Sequence, residues 1–126
     1  MDVTPLVKTG TQIIQSYAGG AFKVSGVSYD TPIIVLSDQT LSWISGKVFA
    51  DLTVGDFAVL ADRTQALDVV LLGCGAQMRL LDPALRADLK ARGLSVDVMD
   101  TGAACRTYNV LVAEGRRVAA ALLPAV

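Results

Sequence analysis

Histidine is absent from all 126 residues. Its absence removes Ser-His-Asp and Cys-His catalysis within the chain, together with the usual proton carrier near neutral pH. Cysteine is scarce, with Cys74 and Cys105 as the two thiols. Two thiols without an imidazole cannot by themselves complete a zinc site, and no metal is expected; any chemistry would have to come from thiol, carboxylate, Lys, Tyr or a bound cofactor, and no cofactor is assigned. Charge of one sign is missing too: Lys plus Arg number 11 against 12 Asp plus Glu, a net charge of -1. No broad field would steer the protein toward phosphate backbones or anionic lipid, which argues against nucleic acid as a partner. Long hydrophobic runs are lacking. VVLLG at 69–73 and VAAALL at 118–123 fall far short of the ~20 residues of a spanning helix, so no integral membrane segment is expected. The start, MDVTPLVKTG, has neither a basic stretch leading into an apolar core nor an Arg-rich amphipathic pattern, and a cytoplasmic location is the expectation.

What is present is a 52% hydrophobic, 18% charged composition, the signature of buried strands in an ordered protein. A chain of this length fits a single domain over 1–126, burying about two thirds of its unfolded surface. TQIIQSY at 11–17 and AFKVSG at 21–26 read as a hairpin around Gly19-Gly20, with Phe22 and Val24 alternating with Lys23 and Ser25. IIVLS at 33–37 is a strand covered on both faces, and LSWISG at 41–46 a further strand. Trp43 has two readings, core residue or partner anchor. Val54, Phe57, Ala58 and Ala61 share a helical face, and Thr53 with Asp56 forms an approximate capping box, predicting a helix over about 53–63.

From there the grammar is strand, helix, strand, helix, strand. DVVLLG at 68–73 is a buried strand. DPALRADLKARG at 82–93 has Asp82 for the N-cap, Pro83 for the first turn and Gly93 for the C-terminal cap. LSVDVMD at 94–100 is a strand, TGAACRTYNVLVAEG a helix capped by Thr101, and RRVAAALL the last strand. Short connections imply right-handed βαβ units. The expected fold class is therefore α/β: a layered fold with a central mixed, mostly parallel sheet flanked by helices, and an additional N-terminal β layer.

Two junctions follow parallel strands, where ligands settle in open α/β sheets. At the first, Gly73 and Gly75 flank Cys74; at the second, TGAACRT opens a helix whose free amides and dipole favour an anion or thiolate. The candidate ligand-binding residues are Gly73, Cys74, Gly75, Thr101, Gly102, Cys105, Arg106 and Asn109. Each has a structural reading beside the functional one. The glycines serve turn geometry, and a small thiol beside two alanines packs as an inert core residue. Asp97 and Asp100 read either as a general base or as caps or partners of Arg116 and Arg117. Tyr108 is expected inward with its hydroxyl paired, and Arg106 toward the loops, holding the carboxylate of Asp100 or Glu114. No catalytic residue is assigned.

The blocks IIQSYAGGAFKVSGVSYD, VVLLGCGAQMRLLDPALRADLKARGLSVDV and VMDTGAACRTYNVLVAEGRRVAAALLP resemble a family of small domains of uncertain biochemical function, from about Gln12 to Pro124. Its eukaryotic members include a mitochondrial assembly factor for respiratory complex I and an adipogenesis-associated domain protein. The resemblance implies a central mixed sheet with its last strand antiparallel and an added β layer. It also implies protein partners among respiratory complex subunits or assembly factors, and a non-catalytic accessory role in building such a complex. Cys74 departs from the family pattern between the two glycines, and the lack of a presequence fits a bacterial-type member. The alternative is a small-ligand or anion-binding protein, or an enzyme, using a thiol at the strand-helix junctions. Homo-oligomerisation is left open.

Overall fold

The computed structural model describes residues 10–44, 46–61 and 67–125. Alternation in the first half produces a small antiparallel sheet, β1 (Ile14–Ser16), β2 (Phe22–Val24) and β3 (Val27–Tyr29), in that order. Phe22 and Val24 are buried while Lys23 is exposed, as their period of two demands. The sequence reading places one hairpin here, and the structure adds β3. Ser25 and Gly26, with φ of 46° and 87°, form the two-residue turn whose twist matches a hairpin, and Val24 pairs with Val27 across it.

The larger sheet has five strands: β4 (Ile33–Val35), β5 (Thr40–Ser42), β6 (Val69–Gly73), β7 (Val96–Met99) and β8 (Val118–Leu122). Their spatial order is β5-β4-β8-β6-β7. β7, β6 and β8 run parallel, and β4 is antiparallel to both β8 and β5. This corrects what the resemblance implies: the last strand, β8, runs parallel to β6 and β7, and the strand that runs against its neighbours is β4. β5 ends at Ser42, earlier than expected, because the residue opposite Trp43 is Pro32, which has no amide to return the ladder bond. The Trp43 backbone amide donates to Pro32 O, its indole Nε1 donates to Asp56 O at 2.7 Å, and its ring meets Phe57 edge-on at 5.4 Å. Trp43 is therefore a core residue.

Between β5 and β6, the helix expected over 53–63 is a 3₁₀ turn, Val54–Phe57, running into one α-helical turn, α1 (Ala58–Ala61); residues 62–66 lie outside the described residues. The predicted cap is present, with Asp56 Oδ2 accepting from the Thr53 amide at 2.8 Å. Gly55 weakens helix propensity in this first turn.

The two longer helices, α2 (Pro83–Ala91) and α3 (Thr101–Ala113), lie on opposite faces of the large sheet. Chain order explains why. The step β6-α2-β7 moves outward across the sheet and β7-α3-β8 moves back past β6, so two right-handed crossovers must use opposite faces. Val70 and Leu72 pack with Leu85 and Leu89 of α2, whereas Leu71 and Leu122 pack with Ala104, Tyr108 and Val112 of α3. The small sheet joins the α3 side through Ile14, Phe22 and Val24. Strand β8 is buried at all five positions, and its three alanines sit where both faces are covered. Both helices end as their glycines foretell: Gly93 and Gly115, at positive φ, let the amides of Leu94 and Arg116 reach back to Leu89 O and Leu111 O.

Candidate functional site

The parallel register puts the ends of β6, β7 and β8 on one rim, so the two glycine- and threonine-bearing junctions are neighbours. Thr101, with no exposed surface, stands at their centre. Its Oγ1 donates to Leu123 O at 2.7 Å and accepts from the Gly75 amide at 2.9 Å, while its own amide donates to Gly75 O at 2.8 Å. The Leu123 amide returns to Gly73 O at 3.0 Å. Gly73 is required by this closeness, since an added Cβ would lie 3.0 Å from Leu122 Cδ2 and 3.1 Å from Thr101 Cα. Three strand ends are thereby knitted by one hydroxyl. Thr101 is not the N-cap. Asp100 is, its Oδ1 accepting from the Ala103 amide at 2.9 Å, which frees the threonine hydroxyl for the neighbouring strands.

Cys74 and Cys105 are both free thiols and both buried, in different surroundings. Cys74 Sγ donates to Gln77 O at 3.2 Å and accepts from the Arg79 amide at 3.3 Å, folding the following loop around the sulfur. Cys105 packs among Leu71, Val112, Ala104 and Tyr108. Burial pushes its thiol up to about 12 against the opposing pull of the Arg106 guanidinium. At neutral pH it is protonated, which is the wrong state for a nucleophile or metal ligand. Among the described residues, no group of three His, Cys, Asp or Glu side chains gathers as a metal site.

The rest of the TGAACRTYN segment joins the two sheets. Tyr108, fully buried, donates through its hydroxyl to Gln12 O at 2.9 Å, with Leu36 O also at 3.2 Å. Burial raises its pKa above the ordinary phenol value. Asn109 grips the edge of β1 as a strand would, with Oδ1 accepting from the Ile14 amide at 2.9 Å and Nδ2 donating to Ile14 O at 2.8 Å. Arg106 is exposed and does not hold Asp100 or Glu114. Its Nη1 donates to Tyr17 Oη at 2.7 Å, across the first turn of α3. Gly102 leaves room for that pair, since a Cβ there would meet both partners at 3.1 Å. Arg117 pairs with Asp68 at 2.8 Å, rather than with Asp97 or Asp100.

The sequence reading did not single out Tyr17, nor the exposed loop after Cys74. In that loop Met78 is 54% and Leu80 89% exposed, the latter immediately before buried Leu81. The run QMRLL lacks any periodicity that separates an inward from an outward leucine.

A family described as "protein of unknown function (DUF498/DUF598)" matches residues 14–123. The chain belongs to this family. An uncharacterised relative from Rhodobacter capsulatus is 33% identical over 115 residues, covering 91% of this chain and 86% of that protein. NADH dehydrogenase [ubiquinone] 1 alpha subcomplex assembly factor 3 of Danio rerio is 35% identical over 112 residues; the match covers 89% of this chain and 64% of that protein. Among solved structures, that of a Bordetella parapertussis protein superposes with a TM-score of 0.82 at 38% identity, covering 92% of this chain and 98% of that one. The family fold is thus the layered α/β arrangement described above. No described helix is long and apolar enough to cross a membrane.

Proposed function

We propose that this protein is a non-catalytic accessory factor that binds protein partners during the assembly of a respiratory complex of the complex I type. The observation that carries the reading is the 35% identity to an NADH dehydrogenase assembly factor along 89% of this chain. The local chemistry agrees with it. Cys105 is held protonated by burial, and the hydroxyl of Thr101 and the amide of Asn109 are engaged with backbone. These groups hold the fold rather than face a substrate. The partners on this reading are subunits of the complex or other assembly factors.

The test is deletion of the gene in a host with a complex I-type NADH dehydrogenase. Assembled complex on native gels is expected to fall several-fold while subunit transcripts stay level. Both the wild-type protein and a folded Cys105→Ala variant should restore it. Unchanged assembly after deletion overturns the proposal. Restoration by wild type but not by folded Cys105→Ala would return the thiol to consideration.

A further inference from the structure

Among the described residues the two sheets have four outer strands, β1 and β3 in the small sheet and β5 and β7 in the large one. β7 is the longest of them, with four residues against three in each of the others. The edge of β1 is already occupied at Ile14 by Asn109. In β7 the direction of each backbone group follows from its bonds to β6. Ser95 O accepts from the Val70 amide and Met99 O from the Cys74 amide, so odd-numbered residues face inward along the sheet. Alternation turns the amides and carbonyls of Val96 and Val98 toward the outer edge. Val96 O confirms this direction, accepting from Arg86 Nη1 of α2 at 3.1 Å.

Beside that edge lies a cavity of about 420 Å³ between α2 and the start of β7, lined among others by Arg86, Lys90, Ser95, Val96 and Asp97. Two cations stand there against one carboxylate. Cationic side chains are a common way to blunt a strand edge against unwanted pairing. Here they do more than repel, because Arg86 is exposed and spends one nitrogen on Val96 O while its fork retains further donors. An incoming strand that carries a carboxylate offers a backbone ladder, which this edge lacks among the described residues, and a second counter-charge beside Asp97. A strand carrying lysine meets repulsion at the same point.

We propose that the outer edge of β7 takes an extended acidic segment of a partner protein as an added strand, with a carboxylate of that segment seated between Arg86 and Lys90. Main-chain bonds to the outward amides of Val96 and Val98 and to Val98 O supply affinity, Val96 O being already engaged by Arg86, and the cation pair supplies selection for acidic sequence. The inference goes beyond the assembly reading and stands or falls without it, since it concerns the class of segment recognised and not the complex being built.

The test uses the full chain, isotope-labelled, with a short peptide alternating Thr and Glu as probe and its Thr-Lys counterpart as control. At about ten times its Kd the glutamate peptide is expected to shift the Val96 and Val98 amide resonances and slow their exchange about tenfold. The lysine peptide should do neither. Val98→Pro removes an outward amide that β6 does not use, a position where an edge strand accepts proline, and should abolish the response. A Thr-Glu peptide N-methylated along its pairing edge asks the same question should Val98→Pro fail to fold. Arg86→Glu combined with Lys90→Glu should transfer binding to the lysine peptide. Three results overturn the proposal: no binding of the glutamate peptide, binding that survives both Val98→Pro and N-methylation, or concentration-dependent self-association through β7 that Val98→Pro removes, which would make a second copy the occupant.

Discussion

Tyr108→Ala is expected to lower the unfolding free energy by about 3–5 kcal/mol, the range for removing a buried aromatic side chain. A domain of this kind has only ~5–15 kcal/mol in total, so the variant should be close to unfolding under ordinary conditions. The reason lies in position as much as size. Tyr108 has no exposed surface, packs against the α3 face of the large sheet, and sends its hydroxyl to Gln12 O before β1 and Leu36 O after β4. One side chain therefore ties the N-terminal layer to the central sheet. Tyr108→Phe separates the two contributions, keeping the ring and leaving the carbonyls without their donor, for an expected loss of about 1–3 kcal/mol. Urea unfolding measures both. A Tyr108→Phe variant as stable as the wild type would show that the hydroxyl contributes no tie.

Thr101→Val should be nearly as damaging although it preserves shape. Replacing the hydroxyl with a methyl leaves the buried Leu123 carbonyl and the part-buried Gly75 amide without this partner, at about 1–3 kcal/mol for each unpaired group. Thr101→Ser retains the oxygen and should recover most of the loss. The urea midpoint should fall with little change in slope, as for a loss of stability without a change in the surface exposed. If Thr101→Val matched the wild type and Thr101→Ser did not, the methyl rather than the hydroxyl would be holding the junction.

Much of the fold was legible because the second half obeys local rules. The DPALRADLKARG run carries both of its caps, and α2 begins after Asp82 and closes at Gly93 as those residues dictate. VVLLG and VAAALL are apolar without alternation, and both are covered on two faces. The errors arise where neighbours in space decide. Asp100 and Thr101 are both good capping residues, and only the arrival of Gly75 and Leu123 beside Thr101 assigns the cap to Asp100. β3 was hidden because VSY has one buried-type residue in a short run, and Val27 is 53% exposed. Arg106 meets Tyr17, which is 89 residues away in sequence, so no spacing rule predicts the pair.

The candidate residues divide along the same line. Sequence brought Gly73, Gly75 and Thr101 to one rim correctly, because strand ends of a parallel sheet must meet there. It did not foresee that the hydroxyl and the glycine would serve close packing of β6, β8 and α3. Nor did it indicate the edge of β7, because whether a strand is outermost depends on spatial order. Cys105 is the residue at which the two readings diverge most sharply, with a helix dipole and Arg106 favouring a thiolate and burial opposing it.

The most direct test is therefore the rate at which iodoacetamide labels Cys105 in the native protein at neutral pH, followed by peptide mass spectrometry. Because the thiol is protonated and enclosed, labelling should wait on opening of the fold, run far below the rate of the same cysteine in denatured protein, and accelerate with added urea. Labelling of native Cys105 as fast as, or faster than, the denatured control would mean that an accessible thiolate exists, and would contradict the account of this segment as a clasp between two sheets.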